Sequence, residues 1–236
     1  MTPESWRRVD EWWSELFGVP TSMLWRDDLV VGMHAGLGDY PGVFVAERRG
    51  HVHVSLPEWV TPARVRELEH VGPDALTGRA FWETWSSEEM VVLGPAVHAF
   101  TDGEPIDVTD SGTDVLLATV DDLDGLRAAV SEEDWEEGGF THVEGPVHAL
   151  VQDDRVVAAA HLSSYLGGST DLGVLVRPDA RGRGLGTLVG CAATRTAVRT
   201  RGLARWRARV DNAPSRALSR ALGFEDYCTQ LAVRPG

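Results

Sequence analysis

A glycine-rich turn between a strand and a helix constrains the fold of this chain more than any other segment. The turn lies within the run Val174-Leu-Val-Arg-Pro-Asp-Ala-Arg-Gly-Arg-Gly-Leu-Gly-Thr187. A β-branched strand is predicted to end at Val176, because Pro178 cannot donate to a strand ladder. Apolar residues at helical spacing begin at Leu185. Such a turn presents bare backbone N–H groups at a helix N-terminus, where an anion is stabilised.

The elements after the turn follow a regular order. A helix is predicted from Leu185, with apolar residues at positions 185, 188, 189, 192 and 193 and with Gly202 as its C-terminal cap. The run from Arg205 to Val210 alternates as a strand does. Asn212 is then predicted to cap a second helix, which closes at Leu222-Gly-Phe224.

These motifs, in this order, resemble the GNAT superfamily of N-acetyltransferases. The acyl-coenzyme A loop of that family has the pattern Arg/Gln-x-x-Gly-x-Gly/Ala, which Arg181, Gly184 and Gly186 fill here, and its last helix follows Asn-x-x-Ser/Ala and ends in Leu-Gly-Phe. The resemblance covers about residues 113–236. It implies an enzyme that uses acetyl-coenzyme A as co-substrate and acetylates a primary amine by direct attack on the thioester.

The resemblance also implies which residues hold the cofactor. They are Val174, Leu175, Val176, Arg181, Gly182, Arg183, Gly184, Leu185, Gly186, Thr187 and Asn212. A backbone N–H near Val174 to Val176 would polarise the thioester carbonyl as an oxyanion hole does. No metal ion is implied.

The proton-transfer residues are less completely matched. Asp171 occupies the position of the family's general base with a shorter side chain, and Glu144 and His161 are the reserves. Ser219 stands where the family often has a tyrosine as general acid, so the residue that protonates the departing thiolate stays open. Tyr165 and Tyr227 are the other tyrosines of this half.

Two other classes of protein remain as alternatives. A non-catalytic acyl-coenzyme A-binding or sensor module is compatible with the serine at position 219. A nucleotide-dependent oxidoreductase is the third reading, because Asp211 follows the next strand, but Thr187 occupies the place of the third glycine in the dinucleotide fingerprint. A P-loop is excluded because the chain has no lysine.

The fold class predicted for residues 113–236 is α/β (α+β), with a mixed, mostly antiparallel sheet flanked by helices. Its strands are expected at 115–120, 147–151, 155–162 and 170–176, with a helix at 121–130. Residues 1–112 are predicted to form an N-terminal α/β domain, which resembles a degenerate half-repeat without its own glycine loop. This domain is expected to begin with an amphipathic helix over 3–17, followed by strands at 29–33, 43–47 and 51–56 and a helix that starts at Thr61-Pro62.

Charge is divided unevenly along the chain. The net charge is −14, and the part from Arg177 onward has twelve arginines against four acids, a charge of +8, which leaves −22 on the part before it. Basic residues beside the glycine turn suit a phosphate-bearing cofactor, whereas the acidic remainder disfavours nucleic acid. A cationic amine acceptor fits the acidic remainder, and the carboxylates of Ser131–Glu137, together with Trp135, are candidates for attracting it.

The remaining features indicate an ordinary intracellular enzyme. No apolar run is long enough to span a bilayer, no signal-peptide pattern is present, and the two cysteines lack metal or redox spacing, so a cytoplasmic location is expected. His51 and His53 are predicted to lie on a solvated hairpin face. Neither the oligomeric state, a homodimer included, nor the identity of the acceptor amine follows from the sequence.

Overall fold

The computed structural model describes residues 1–105, 114–143, 145–164 and 170–236. In these ranges the helices α1 to α8 span Pro3–Phe17, Pro62–Glu69, Pro73–Leu76, Arg79–Trp85, Asp124–Arg127, Glu132–Glu137, Leu185–Arg201 and Ala213–Ala221. The strands β1 to β10 span Leu29–Met33, Val43–Arg48, His51–Leu56, Met90–Thr101, Val115–Ala118, Val147–Gln152, Arg155–Ser164, Thr170–Val176, Ala204–Arg209 and Glu225–Pro235. Short 3₁₀ turns occupy Val120–Leu123, Phe140–His142 and Pro178–Ala180.

The chain folds into two compact units. The first, named here the glycine-loop unit, comprises Met1, Ala99–Arg207 and Ala213–Glu225. The second, named the tryptophan-rich unit, comprises Thr2–His98, Ala208–Asn212 and Asp226–Gly236. The boundary predicted between domains 1–112 and 113–236 falls within 106–113, which lies outside the described ranges. The division into these two domains and the half-repeat therefore stay predictions.

The glycine-loop unit contains a mostly antiparallel sheet with the strand order β9-β8-β7-β6-β5. Neighbouring strands from β5 to β8 pair antiparallel, and β8 pairs parallel with β9. The predicted hairpin between β6 and β7 turns at Asp153 and Asp154, both with positive φ, as a tight two-residue hairpin requires. The helix α7 packs against β6, β7 and β8. The predicted mixed α/β fold with flanking helices is confirmed.

The first helical segment of this unit is shorter than predicted. Residues 121–130 were expected to form one helix, but a 3₁₀ turn and the four-residue α5 replace it. Thr119 and Asp122 form a capping box that closes the first turn tightly. Leu123 and Leu126, three residues apart, are both fully buried. The shortened helical segment therefore still covers this part of the sheet with two apolar side chains.

The tryptophan-rich unit begins with α1 at its predicted bounds. Thr2 caps its N-terminus through its side chain, and Gly18 ends it in the left-handed conformation. Strands β1, β3, β2 and β10 are adjacent in that order, with β1 parallel to β3 and the other pairs antiparallel. The predicted helix at Thr61-Pro62 is present as α2, which Thr61 caps.

An aromatic cluster forms part of the core of the tryptophan-rich unit and corrects one prediction. Trp13 is fully buried among other rings, so the N-terminal tryptophans serve packing. His53, expected on a solvated face, is only 1% exposed and stacks on Phe17 with ring centroids 4.6 Å apart. Burial lowers the pKa of His53 to about 4. The alternation of the strand was right, but α1 covers the face that the histidine occupies.

Candidate functional site

The predicted glycine turn forms the N-terminus of α7. Strand β8 ends at Val176, the 3₁₀ turn follows, and Gly184 is the N-terminal cap of the helix. Gly182 and Gly184 both have φ of 76°, a left-handed conformation that costs a residue with a side chain about 1–2 kcal/mol. Glycine is therefore required twice for the turn to take this path.

The surroundings of these two glycines fit a phosphate. Apart from each glycine and its immediate neighbours in the chain, no heavy atom of the described residues lies within 4 Å of the position that a Cβ would take at Gly182 or Gly184, and residues 181–184 are exposed. The first N–H groups of a helix have no acceptor within the helix, and its dipole is positive at this end. The N–H of Thr187 is already used, because it donates to the carbonyl of Gly184 at 3.0 Å. A phosphate bound at this turn would therefore meet the backbone just before Thr187.

Gly186 has a packing role that the motif does not indicate. A Cβ at this position would lie 3.3 Å from Val176 and 3.4 Å from Leu218. One turn later, a Cβ at Gly190 would lie 2.8 Å from Leu222. The two glycines let α7 approach β8 and α8 closely, while the side chain of Leu185 is buried beneath the turn.

Arginine side chains surround the turn and fix its ends. Arg181 donates from Nε to the carbonyl of Val176 at 3.2 Å and from its terminal nitrogen to Asp134 of α6 at 2.8 Å. Arg183 donates to the amide oxygen of Gln152 at 3.1 Å. Both arginines remain at the surface, where their positive charge favours an anionic ligand.

Strands β8 and β9 separate next to the turn. Their parallel pairing joins Thr170 to Ala204, Asp171 to Arg205 and Leu172 to Trp206, and within the described residues it extends no further. On its other side β8 stays paired with β7 as far as Val176. Alternate N–H groups of a strand point to opposite neighbours. Some amides between Gly173 and Val176 therefore face the side that β9 has left.

Asp171 lies where β8 is still paired with β9, so its carboxylate is not at a free edge of the sheet. Its Oδ2 is 3.7 Å from the guanidinium of Arg205, which is fully buried, while the side chain of Asp171 is 18% exposed. Its Oδ1 is buried and has no hydrogen-bond partner among the described residues. The sequence does not single out Arg205, because only the strand register places this cation opposite the carboxylate.

Ser219 is placed by α8 with its hydroxyl buried. The residue is 4% exposed, and its Oγ has no hydrogen-bond partner within the described part of the chain. One turn earlier, Ser215 accepts a hydrogen bond from the indole of Trp206 at 3.0 Å, which links α8 to β9. Asn212 directly precedes the first residue of α8.

His161 lies on β7, where it is buried opposite Gly173 of β8. Its Nε2 is 2.9 Å from the carbonyl oxygen of Gly138, and its ring meets Phe140 edge-on. Burial lowers the pKa of His161, although the Gly138 carbonyl and the charge of Asp171 act in the opposite direction. A Cβ at Gly173 would lie 2.1 Å from this Nε2, so the glycine provides the space that the ring occupies.

The other residues predicted to transfer protons are either less suited to that role or lie outside the described ranges. Tyr227 belongs to the tryptophan-rich unit, where it is buried and donates to Asp10 at 2.6 Å. Burial raises the pKa of Tyr227 far above its usual range. Glu144 and Tyr165 lie outside the described residues.

The acidic segment over 131–137 forms α6, and one predicted role within it is wrong. Trp135 is buried in the core against Phe140, with ring centroids 5.2 Å apart, and Arg127 covers its ring. Because its indole faces the core, it cannot contact an acceptor. The glutamates of the segment, Glu132, Glu133, Glu136 and Glu137, are exposed.

Two structural features bear on metals and membranes. No group of three or more His, Cys, Asp or Glu side chains in the described ranges is arranged to hold a metal ion. None of the described helices combines the length and the apolar character needed to cross a bilayer.

Comparisons with known proteins give one family model and several solved structures that resemble this chain. Residues 132–229 match the family model described as GNAT acetyltransferase. A GCN5-related N-acetyltransferase-like protein from Streptococcus suis is 16% identical, with a TM-score of 0.50 over 98% of this chain and 99% of the other. A Drosophila protein is 15% identical, with a TM-score of 0.52 over 77% of this chain and 60% of its own length. An acetyltransferase of the GNAT family from Colwellia psychrerythraea is 13% identical, with a TM-score of 0.47 over 100% of this chain and 75% of the other. The sequences of curated proteins include no match.

Proposed function

We propose that this chain, which carries a GNAT acetyltransferase domain over residues 132–229, transfers an acetyl group from acetyl-coenzyme A to a primary amine. The observation that carries the proposal is the exposed left-handed glycine turn at the N-terminus of α7, beside the point where β9 leaves β8. One feature suits a diphosphate and the other suits the extended arm that connects it to a thioester. Acetyl-coenzyme A has this combination of groups.

The proposed donor site runs from the turn to β8. The backbone of residues 181–186, with the side chains of Arg181 and Arg183, would hold the diphosphate through charge-assisted hydrogen bonds. The main chain from Val174 to Val176 would bind the arm, and an N–H there would polarise the thioester carbonyl. Thr187, through its hydroxyl, completes the proposed set within the glycine-loop unit, whereas Asn212 belongs to the tryptophan-rich unit and its role stays a prediction.

The proposed reaction is a direct acyl transfer. The ammonium of the acceptor loses a proton towards Asp171, through a water, and the neutral amine then attacks the carbonyl carbon. A C–N bond forms, the C–S bond breaks, and the second proton of the nitrogen passes to water. The thiolate takes up a proton from water. The buried hydroxyl of Ser219 is proposed to hydrogen-bond the sulfur without acting as the acid.

The acceptor is proposed to be cationic at neutral pH. Support comes from the exposed glutamates of α6, which lie on a helix tied to the glycine turn by the contact between Asp134 and Arg181. These charges would raise the local concentration of a positively charged amine. A cytoplasmic location is proposed with it, because Cys191 and Cys228 are both buried thiols.

A non-catalytic acyl-coenzyme A-binding module is the second candidate. It is favoured by one observation, the serine at position 219, because a serine is a poor proton donor for a departing thiolate. Such a module would use the same glycine turn without releasing product.

Two measurements separate the candidates. Calorimetric titration is expected to give one acetyl-coenzyme A per chain, and a thiol reagent is expected to detect coenzyme A release that depends on an added amine. Binding without release for every amine of a broad panel supports the second candidate. If acetyl-coenzyme A does not bind to the folded chain, both proposals are wrong.

A further inference from the structure

An ion pair already occupies the arginine that begins the glycine turn. Nη2 of Arg181 donates to Oδ2 of Asp134 at 2.8 Å, and Nε of the same side chain donates to the carbonyl of Val176 at 3.2 Å. Both members of the pair belong to the glycine-loop unit, and their side chains are 49% and 40% exposed. A carboxylate therefore lies at the guanidinium that is proposed to bind the diphosphate.

The helix α6 holds this carboxylate in place. The backbone N–H of Asp134 donates at 3.0 Å to Oγ of Ser131, which caps the helix. The next residue, Trp135, is buried against Phe140, with ring centroids 5.2 Å apart. Because the main chain at Asp134 is fixed on both sides, only rotation of its own side chain can remove the carboxylate from Arg181.

The second arginine of the turn has a neutral partner. Arg183 donates to the amide oxygen of Gln152 at 3.1 Å, so a phosphate that binds Arg183 displaces an uncharged group. At Arg181 a phosphate meets the carboxylate of Asp134, and two anions at one guanidinium repel each other. The net attraction of Arg181 for a phosphate is therefore reduced by the ion pair that has to open.

We infer that Asp134 is an internal competitor of the diphosphate at Arg181 and that it limits the affinity of the chain for acetyl-coenzyme A. The inference rests on the proposed function, which assigns the diphosphate to the glycine turn. In the free protein the guanidinium binds Asp134, and in the complex it binds the ligand, so one ion pair replaces another and no proton is transferred. The apparent Kd then equals the intrinsic Kd divided by the fraction of chains in which the ion pair is open.

The same competition acts on the product. Coenzyme A keeps its diphosphate after the acyl group has been transferred, so Asp134 weakens the binding of coenzyme A as well. The carboxylate is held within reach of Arg181 by α6 and pairs with it again as the diphosphate leaves, so the effect is expected mainly in the dissociation rate. Product release limits turnover in many enzymes, and Asp134 favours that step.

The test is calorimetric titration of the whole chain with acetyl-coenzyme A and with coenzyme A. Asp134→Asn keeps the shape of the side chain and removes its charge, and it is expected to lower both Kd values about 2- to 5-fold at low ionic strength. The gain should shrink as salt is added, because both the ion pair and the repulsion are screened. The matched control is Asp124→Asn, which removes the same charge from an exposed position on α5 and should change the Kd much less.

The sign of the change decides between two roles of Asp134. A Kd that rises in Asp134→Asn would mean that the carboxylate orients Arg181 for the phosphate, and the inference is then wrong. An unchanged Kd, or an equal gain in Asp124→Asn, also contradicts it.

A double-mutant cycle separates competition from simple repulsion of the ligand. In the Arg181→Gln background there is no guanidinium to compete for, so adding Asp134→Asn should change the Kd no more than Asp124→Asn does. If the full gain persists in that background, Asp134 acts on the ligand directly and the inference is wrong. Binding changes as expected, without amine-dependent release of coenzyme A, would contradict acetyl transfer and leave the competitor established. Absence of acetyl-coenzyme A binding by the wild type would contradict both.

Discussion

Replacing Gly184 by alanine tests the proposed phosphate cradle at a residue whose left-handed backbone conformation favours glycine and beside which the space is open. Gly184 has φ of 76° and open space beside it, so alanine introduces no clash within the protein. It does place a methyl group where the diphosphate would approach the backbone. Gly202, the C-terminal cap of the same helix with φ of 69°, provides a matched control that carries the same backbone strain far from the turn.

The expected magnitudes follow from these conformations. Alanine in the left-handed region costs about 1–2 kcal/mol, so each variant should lose a few degrees of melting temperature, at about 2–4 °C per kcal/mol for a chain of this size. Gly184→Ala should in addition lose one charge-assisted hydrogen bond to the phosphate, worth about 1.5–3 kcal/mol, or roughly 10- to 100-fold in Kd.

The assay is calorimetric titration of acetyl-coenzyme A together with thermal unfolding in its presence and absence. Gly184→Ala should bind weakly and gain little melting temperature from the ligand, whereas Gly202→Ala should bind as the wild type does. Equal affinity in the two variants, with both folded, would refute the assignment of the turn as the phosphate site.

Three further results are expected. Asp171→Asn should lower turnover about 100-fold near neutral pH, and the loss should shrink at high pH, where the amine is already neutral; a uniform loss across pH would point to a structural role. Ser219→Ala should leave the melting temperature unchanged or slightly higher, because the buried hydroxyl lacks a partner among the described residues, while turnover falls; a large drop in melting temperature would mean that the hydroxyl is bonded. Burial in the folded state lowers the pKa of His53 from 6.5 to about 4, so folding favours the neutral ring. The contribution of His53 to the free energy of unfolding is therefore complete above pH 6.5 and is lost as the pH falls towards 4. The total loss is about 3 kcal/mol. Urea unfolding of His53→Phe should show less of this loss, whereas His51→Gln, at a partly exposed neighbour, should retain it.

Local signals in the sequence were sufficient for the elements that build the turn. Pro178 stops β8, glycine permits the left-handed turn at positions 182 and 184, and the helix that follows ends at Gly202. The starts of α1 and α2 were equally predictable from the sequence, because a threonine followed by a proline marks a helix start by local hydrogen bonding alone. These features depend on residues within a few positions of one another.

Burial was predicted less well, because it depends on which element covers a given face. The stripe of α7 was expected at 185, 188, 189, 192 and 193, but residues 188 and 192 are partly exposed while 190, 194 and 197 are buried, since the helix packs against both the sheet and α8. Trp135 and His53 were both assigned to exposed positions and both lie in cores. Amphipathic patterns give the period of an element, and the packing partner selects the face.

The sequence by itself determined the glycine turn, the proposed place for an anion, since backbone conformation at glycine and proline is set by local sterics. Only the tertiary structure decided the environment of the proton-transfer residues. Arg205 meets Asp171, and His161 fills the space above Gly173, because the consecutive strands β7 and β8 align in one register with β9, which is distant from them in sequence. Register is set by the summed packing of all the strands, and no short stretch of residues encodes it.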